Sequence, residues 1–291
     1  MHIVSASRRT DIPAFYSEWL LNRLKAGTVQ VANPFSGKEY TVSLDPEQVA
    51  ALVLWSKDFS ALEPRLDELD RMGHRLYFLF SITGLPDFLE PNTPKTAEAA
   101  ACLRRLSDRY GPGAVVWRFD PIILGNKTTP QWTRETFARL CRELEGATSR
   151  CITSFVDYYR KLDRAVRTLS AKGTHLYEPT ASLRFERASD LLRIAQDHGI
   201  KLSACCEPDL VEAGVEKASC VDGPAIYNHY GLGECPLPIR PTRRGCGCTQ
   251  SRDIGAYDTC AHGCLYCYAN SNASAARKRA EGHDPFAERL G

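Results

Sequence analysis

The chain has 291 residues, with 37 Lys and Arg against 35 Asp and Glu, which gives a net charge of +2 at pH 7. This length suits one large α/β domain with a small appendage, or two modest domains, and needs no disulfide bonds for a stable core. The near balance of charge argues against a protein that coats nucleic acid by charge alone, although it does not exclude a basic groove.

The N-terminal segment contains no apolar core of a signal peptide, and the apolar runs along the chain are too short to cross a bilayer. We therefore expect a cytoplasmic protein with no membrane partner.

Six short β-rich runs alternate with amphipathic stretches over the first two-thirds of the chain. The predicted strands are His2–Ser5, Leu52–Trp55, Leu76–Phe80, Val115–Arg118, Ile152–Phe155 and Lys201–Ala204. Residues 28–43 predict a β-hairpin insertion with a turn near Ser36 and Gly37. Strands that alternate with helices form a parallel sheet. The predicted fold class is α/β, a partial or complete parallel (β/α) barrel, with a doubly wound open sheet as the alternative.

Polar residues follow most of these strands. Ligands of barrels and open α/β sheets bind at the carboxyl ends of the strands, so we expect a shared site there. Its candidate residues are the polar residues at the strand ends: Ser5, Ser7, Arg8, Arg9, Thr10, Asp11, Ser56, Lys57, Asp58, Ser81, Thr83, Arg118, Asp120, Ser154, Asp157 and Cys205. Asp11 is also suited to cap a helix. No GxGxxG motif follows a predicted strand, which argues against a dinucleotide site.

Nine of the twelve cysteines lie between Cys205 and Cys267. In a reducing compartment, such crowding predicts metal binding or redox chemistry rather than disulfide bonds. Residues 205–252 are also rich in Pro and Gly, which predicts irregular structure, and a final helix is predicted at Ala269–Ala280.

Three of these cysteines form a motif with the spacing CxxxCxxC. Cys260, Cys264 and Cys267 are close enough in sequence to bind three irons of a four-iron cluster, which leaves the fourth iron open to a ligand. Structural zinc sites are usually closed by four ligands, so zinc would need His262 or a distant group as well. Zinc remains the alternative metal.

With Tyr266 before its last cysteine, the motif resembles the radical S-adenosylmethionine (SAM) signature CxxxCxΦC, in which Φ is aromatic. Residues 255–269 resemble the cluster loop of the spore photoproduct lyase-like branch. Further similarities run in order from the N-terminus at residues 7–18, 55–57, 80–83, 90–91 and 118–123. The whole chain also resembles an uncharacterised bacterial family, a domain of unknown function with a C-terminal CxxxCxYC motif.

In the radical SAM superfamily the cluster loop follows the first barrel strand, whereas here it lies near the C-terminus. The simplest account is a circular permutation, which places a strand at Ile254–Tyr257 beside His2–Ser5. This account divides the chain into three regions. They are barrel units at 1–204, a cysteine-rich auxiliary metal region at 205–252, and the permuted first βα unit with the cluster loop at 253–291.

The resemblance implies a radical SAM enzyme. A [4Fe-4S] cluster on Cys260, Cys264 and Cys267 would cleave SAM reductively and start radical chemistry on an unidentified nucleic acid, peptide or small molecule. The implied electron donor is a flavodoxin or ferredoxin. The implied SAM contacts are Lys57 for the carboxylate with Ser81 nearby, Asp11 and Arg118 for ribose, amine or carboxylate groups, and Tyr266 near the cluster or adenine.

A second cysteine group is formed by Cys205, Cys220, Cys246 and Cys248. Four thiolates suit either a second iron–sulfur cluster or a structural zinc, with Cys206 and Cys235 as alternates. The competing function is a non-enzymatic zinc or iron–sulfur module for nucleic-acid binding or electron transfer. A large α/β scaffold with a polar rim is more than an electron carrier requires, which argues against that module.

Overall fold

A computed structural model covers residues 1–291 and describes every side chain except those at positions 160, 161 and 164. The strands are β1 His2–Ala6, β2 Thr28–Ala32, β3 Glu39–Ser43, β4 Val49–Ser56, β5 Leu76–Ser81, β6 Val115–Ile122, β7 Arg150–Phe155, β8 Lys201–Ala204, β9 Glu216–Lys217 and β10 Ser251–Asp253. The helices are α1 Ile12–Phe15, α2 Ser17–Ala26, α3 Leu66–Arg71, α4 Thr96–Tyr110, α5 Pro130–Leu144, α6 Arg160–Ser170, α7 Ala181–Asp197, α8 Pro208–Glu212, α9 Gly223–His229 and α10 Ala273–Glu281, with a 3₁₀ turn at Glu63–Arg65.

Eight strands form one parallel sheet in the order β10-β1-β4-β5-β6-β7-β8-β9, so β10 and β9 are its two ends. The predicted α/β class is confirmed, and the topology is consistent with a partial parallel α/β barrel. The predicted hairpin is also confirmed, because β2 and β3 pair in antiparallel orientation.

The two faces of the sheet are both covered, which explains why β4 is buried at every position. Leu52 and Leu54 belong to the apolar cluster between the sheet and the helices. Val53 and Trp55 alternate with them and belong to an inner cluster. That inner cluster also contains residues between β9 and β10, including Val221 and Ile226. The segment after β9 therefore packs against the inner face of the sheet.

Three predictions for the last third of the chain need correction. The strand beside β1 is Ser251–Asp253 rather than Ile254–Tyr257, because the parallel ladder pairs Ser5 with Asp253. The final helix begins at Ala273 rather than Ala269, since the Asn272 side chain caps its first turn. The cysteine-rich region is less irregular than predicted, as it contains α8, β9 and α9.

None of the helices in the described chain combines the length and the apolar character needed to cross a bilayer.

Candidate metal and cofactor site

A cavity of about 680 Å³ lies at the carboxyl ends of the parallel strands. Its volume is within the range of sites that hold cofactors and small substrates. The residues predicted to bind metal or cofactor all line it: Asp11, Lys57, Ser81, Arg118, Tyr266, Cys205, Cys220, Cys246, Cys248, Cys260, Cys264 and Cys267. Of the other polar residues predicted at the strand ends, Ser5, Asp58 and Thr83 do not line it. Residues separated by more than two hundred positions in sequence therefore share one wall, as expected where parallel strands end together.

The loop with the CxxxCxYC motif, residues 254–272, joins β10 to α10. Its backbone is held at several points by the barrel: Tyr16 donates a hydrogen bond to the carbonyl of Thr259 at 2.6 Å, and the Leu265 N–H donates to the carbonyl of Leu89 at 2.9 Å. Gly263 has φ +72°, a conformation that favours glycine. These contacts fix the direction of the loop where it faces the cavity.

Cys260 and Cys264 lie in a setting that disfavours the free thiolate. Burial raises the pKa of Cys264 to about 12 and raises the pKa of Cys260 well above its ordinary value. The Cys267 Sγ accepts the Ala269 N–H at 3.3 Å. A bound metal supplies the positive charge that buried thiolates require, so this environment suits ligands that lose their protons on metal binding.

His262, between two of these cysteines, is committed to other partners. Its Nδ1 lies 2.8 Å from the carbonyl oxygen of Asn92, and its Nε2 lies 2.8 Å from Asp11 Oδ2. Both ring nitrogens thus face acceptors, and the ring satisfies both only as the doubly protonated cation. Burial alone lowers the pKa of His262, but the hydrogen bond and charge of Asp11 raise it above its ordinary value. His262 in this arrangement has no lone pair for zinc.

Asp11 has a positioning role. The buried carboxylate accepts the Ala14 N–H at 3.1 Å as the cap of α1, and it accepts the Ser56 hydroxyl at 2.6 Å. Its Oδ2 accepts the Lys57 N–H at 2.8 Å as well as His262. One carboxylate therefore ties the first helix, the end of β4 and the cysteine loop together.

A second buried carboxylate, Glu90, collects three donors. The Lys57 ammonium lies 2.7 Å from Oε1, the Thr83 hydroxyl donates to Oε2 at 2.9 Å, and the Tyr266 hydroxyl donates to Oε1. Burial lowers the pKa of Lys57, but the charges of Glu90 and Cys264 raise it above its ordinary value. Lys57 is therefore a charged group fixed beside the cysteine loop.

The sulfurs of the second cysteine group touch one another in a row. The Sγ atoms of Cys205 and Cys206 are 3.8 Å apart, and those of Cys205 and Cys220 are 3.6 Å apart. The Cys248 thiol interacts with the thiols of Cys220 and Cys246. Hydrogen bonds from neighbouring thiols lower the pKa of Cys205 and of Cys248. Cys206 thus joins the four predicted cysteines, whereas Cys235 does not line the cavity.

Arginines surround this second group. Arg8 and Arg118 lie over the ring of Trp55, at 5.1 and 5.2 Å from its centroid. Their positive charges interact with Cys248 and with Cys205 and Cys220, respectively. A third arginine, Arg243, interacts with Cys205 and Cys206. A guanidinium remains charged at any ordinary pH, so these side chains stabilise thiolates.

The sequence did not indicate Asp253 or Glu90 as site residues. Asp253 accepts the hydroxyls of Ser5 and Ser7 at 2.9 and 2.6 Å and the Arg8 N–H at 2.9 Å. Its position just before the cysteine loop was the one available signal. The signal for Glu90 was its place in the pair Glu90-Pro91, which follows the predicted strand Leu76–Phe80.

The thiols that line the cavity are the predicted metal ligands. Among the side chains described in residues 1–291, no three or more His, Cys, Asp and Glu are grouped as the ligands of a single metal ion would be. The donor set is nevertheless rich in thiols, which are ligands of iron–sulfur clusters and of zinc.

Among solved structures, the chain is similar to dihydropyrimidinase from Brevibacillus agri, at 12% identity and a TM-score of 0.31, over 80% of this chain and 44% of that one. It is also similar to two structures of the pneumococcal exo-β-D-N-acetylglucosaminidase StrH. One has 11% identity and a TM-score of 0.28, over 71% of this chain and 53% of that one, and the other 9% and 0.30, over 77% and 66%. The chain thus spans between 44% and 66% of these proteins. Similarities at such TM-scores say nothing about its activity.

No curated protein matches the chain significantly. A family described as "Domain of unknown function (DUF1848)" matches residues 3–269. That span includes β1 at one end and the complete cysteine motif at the other. Because the match covers nearly the whole sequence, the chain belongs to the DUF1848 family.

Proposed function

We propose that this protein is a radical SAM enzyme whose [4Fe-4S] cluster is bound by Cys260, Cys264 and Cys267. One observation carries the proposal: the three thiols line a cofactor-sized cavity, and the only histidine in their loop is hydrogen-bonded elsewhere at both nitrogens. Three protein ligands without a fourth leave one iron of a four-iron cluster open. A structural zinc site needs the fourth ligand.

When bound and reduced, such a cluster supplies one electron to SAM, which breaks one carbon–sulfur bond and releases a carbon radical. The chain's own contribution is to bind and orient. Its cavity at the strand ends receives the substrate, which is a nucleic acid, a peptide or a small molecule that fits there. A flavodoxin or a ferredoxin supplies the electron.

Lys57 is proposed as the contact for the SAM carboxylate. Its ammonium has three donors, and the hydrogen bond to Glu90 uses one of them. Arg118 donates to Ser81 at 3.1 Å and also pairs with Asp120, while its buried Nε has no hydrogen-bond partner among the described atoms. That N–H is available to a carboxylate or a ribose oxygen.

Asp11 and Tyr266 are proposed to act on the loop as much as on the cofactor. The two oxygens of Asp11 already accept four hydrogen bonds, so it positions His262 and the end of β4. Tyr266 is anchored through its hydroxyl to Glu90 and places its ring beside Lys57, 5.8 Å from Nζ to the centroid.

The placement of β10 supports a circular permutation. Ser251–Asp253 pairs in parallel with β1 at the end of the sheet, and the cysteine loop and α10 follow it. Residues 251–281 therefore occupy the place of a βα unit that precedes β1. This is where the cluster-bearing unit of the superfamily is expected.

The proposal is tested by anaerobic reconstitution with iron and sulfide, followed by dithionite and SAM. We expect a brown protein that converts SAM to 5′-deoxyadenosine, or to 5′-methylthioadenosine if the other carbon–sulfur bond breaks. Cys264→Ala should abolish both products, whereas Cys235→Ala, outside the cavity, should not. SAM cleavage that persists in Cys264→Ala, or its absence from an iron-loaded wild type, would overturn the proposal.

The alternative is a non-enzymatic metal module. A colourless protein with stoichiometric zinc and no SAM-dependent product would favour it. The observation against it is the cavity itself, since an electron carrier or a zinc module needs no cofactor-sized cavity at the strand ends.

A further inference from the structure

We infer that the protein holds a second iron–sulfur cluster, ligated by Cys205, Cys220, Cys246 and Cys248, that joins the two ends of the sheet. The inference stands on these residues alone and holds whether or not the protein cleaves SAM. It commits to iron and sulfide where the sequence left zinc open.

The positions of the cysteines in the fold give the first argument. Cys205 follows β8 directly, Cys220 lies three residues beyond β9, and Cys248 lies three residues before β10. β9 and β10 are the two ends of the sheet order, and within the described chain no ladder joins them. Thiols from both ends meet in one group, so a metal bound there reinforces the backbone hydrogen bond from the Thr249 N–H to the Val221 carbonyl at 2.9 Å, which already links these segments.

The arrangement of the sulfurs gives the second argument. A single zinc ion with Zn–S bonds of about 2.3 Å holds four sulfurs as a compact tetrahedron with edges of about 3.8 Å. Here the contacts run in a row from Cys206 through Cys205, Cys220 and Cys248 to Cys246. Among the described side chains, no three of these thiols are grouped as the ligands of one ion would be. Two pairs of interacting thiols, Cys205 with Cys220 and Cys246 with Cys248, suit a two-iron cluster instead, because each of its irons takes two of the four cysteines.

Charge gives the third argument. Four thiolates and their cluster carry net negative charge, which is costly in a buried site without cations nearby. Arg8 Nη2 is buried and has no hydrogen-bond partner among the described atoms. The charges of Arg8 and of Arg118 act on cysteines of this group. A guanidinium N–H that lacks an acceptor, such as that of Arg8, is suited to donate to the sulfurs of a cluster.

Cys206 is excluded from the ligand set by its partners. It contacts Cys205 and Arg243 at the outer end of the row. Its backbone has φ +61°, in the left-handed region. The four remaining cysteines form two pairs of interacting thiols, Cys205 with Cys220 and Cys246 with Cys248. Cys206 is therefore a neighbour of the cluster rather than a ligand.

The test measures iron, acid-labile sulfide and zinc per chain in anaerobically purified protein, with electron paramagnetic resonance as a second readout. The decisive variant replaces Cys260, Cys264 and Cys267 with Ser, which leaves the second group intact. We expect this variant to retain at least about two irons and two sulfides per chain. The converse variant, Cys205→Ser with Cys248→Ser, should lose about a third of the wild-type iron if the second cluster has two irons and about half if it has four. Cys235→Ser is the matched control and should lose none.

The triple variant decides the matter even if the converse variant fails to fold. A triple variant with about one zinc and no sulfide, or with no metal, would overturn the inference. So would a folded converse variant with the full wild-type content of iron and sulfide. If the triple variant keeps all of the wild-type iron, the loop cysteines are not ligands, and the proposed function fails while the second cluster stands.

Discussion

The substitution Asp11→Asn tests the positioning role of the Asp11 carboxylate, because it leaves the proposed metal ligands unchanged. The substitution keeps the shape of the side chain but replaces one carboxylate oxygen with an NH₂ group. Ser56 and Ala14 still find an oxygen at Oδ1. The Lys57 N–H and His262 Nε2, each 2.8 Å from Oδ2, then face a donor instead of an acceptor. The variant therefore removes the buried oxygen that accepts hydrogen bonds from the Lys57 N–H and from His262 Nε2.

The size of the effect follows from those two contacts. A hydrogen bond to a charged group contributes about 1.5–3 kcal/mol, so losing two costs about 3–6 kcal/mol of unfolding free energy. A central value of about 4 kcal/mol lowers the melting temperature by about 8–16 °C, at about 2–4 °C per kcal/mol for domains slightly smaller than this one. Iron binding should also fall, because the loop between Cys260 and Cys264 loses the anchor of its histidine.

The assay is thermal unfolding by circular dichroism together with iron content, on wild type, Asp11→Asn and Asp58→Asn. Asp58 is the matched control, because it lies nearby and its side chain accepts, among the described residues, only the local Ser60 N–H, a contact that Asn can keep. We expect the control to unfold within about 0.5 kcal/mol of the wild type. If Asp11→Asn melts and binds iron like the control, the assigned role of Asp11 is wrong.

Three further predictions concern other parts of the molecule. Glu90→Gln leaves the ammonium of Lys57 without its anion, so urea unfolding should show a loss of about 3–5 kcal/mol, and a loss below about 1 kcal/mol would contradict the buried pair. Gly255→Ala should lower iron content and stability together, because its Cβ would come 2.1 Å from Ser7 Oγ; an unchanged iron content would show that this close approach is unimportant. His74 is buried without hydrogen-bond partners among the described atoms, and burial lowers its pKa below 6.5. The unfolded chain then binds the proton more readily, so stability is lost as the pH falls through about 6.5. His74→Leu should reduce the difference between unfolding free energies at about pH 7.5 and about pH 5.5, and an equal difference in both proteins would refute this.

The central strands of the sheet were predictable from sequence, whereas its edge was not. Leu52–Trp55 is a continuous apolar run, which is typical of a strand covered on both faces. It lies inside the observed strand Val49–Ser56. β10 has the sequence Ser-Arg-Asp and carries no such pattern. It is held to β1 by its ladder and by the Asp253 carboxylate, which accepts from residues near the other end of the chain.

The candidate site was predictable where the chemistry is local in sequence. The CxxxCxYC spacing identifies its thiols without a structure, and strand ends indicate Lys57 and Arg118. The partners that hold these groups are distant: Tyr266 and Glu90 are 176 residues apart, and His262 and Asp11 are 251 apart. Asp11 and Glu90 hold these groups because they are buried and accept several hydrogen bonds. A single sequence does not reveal which carboxylates are buried.

The proposed open iron is tested most directly by electron paramagnetic resonance of the dithionite-reduced protein before and after addition of SAM. The account predicts a cluster signal that changes when SAM binds, and it predicts that Cys264→Ala lacks this SAM-dependent change. A signal identical with and without SAM, from protein with its full iron and sulfide content, would contradict it.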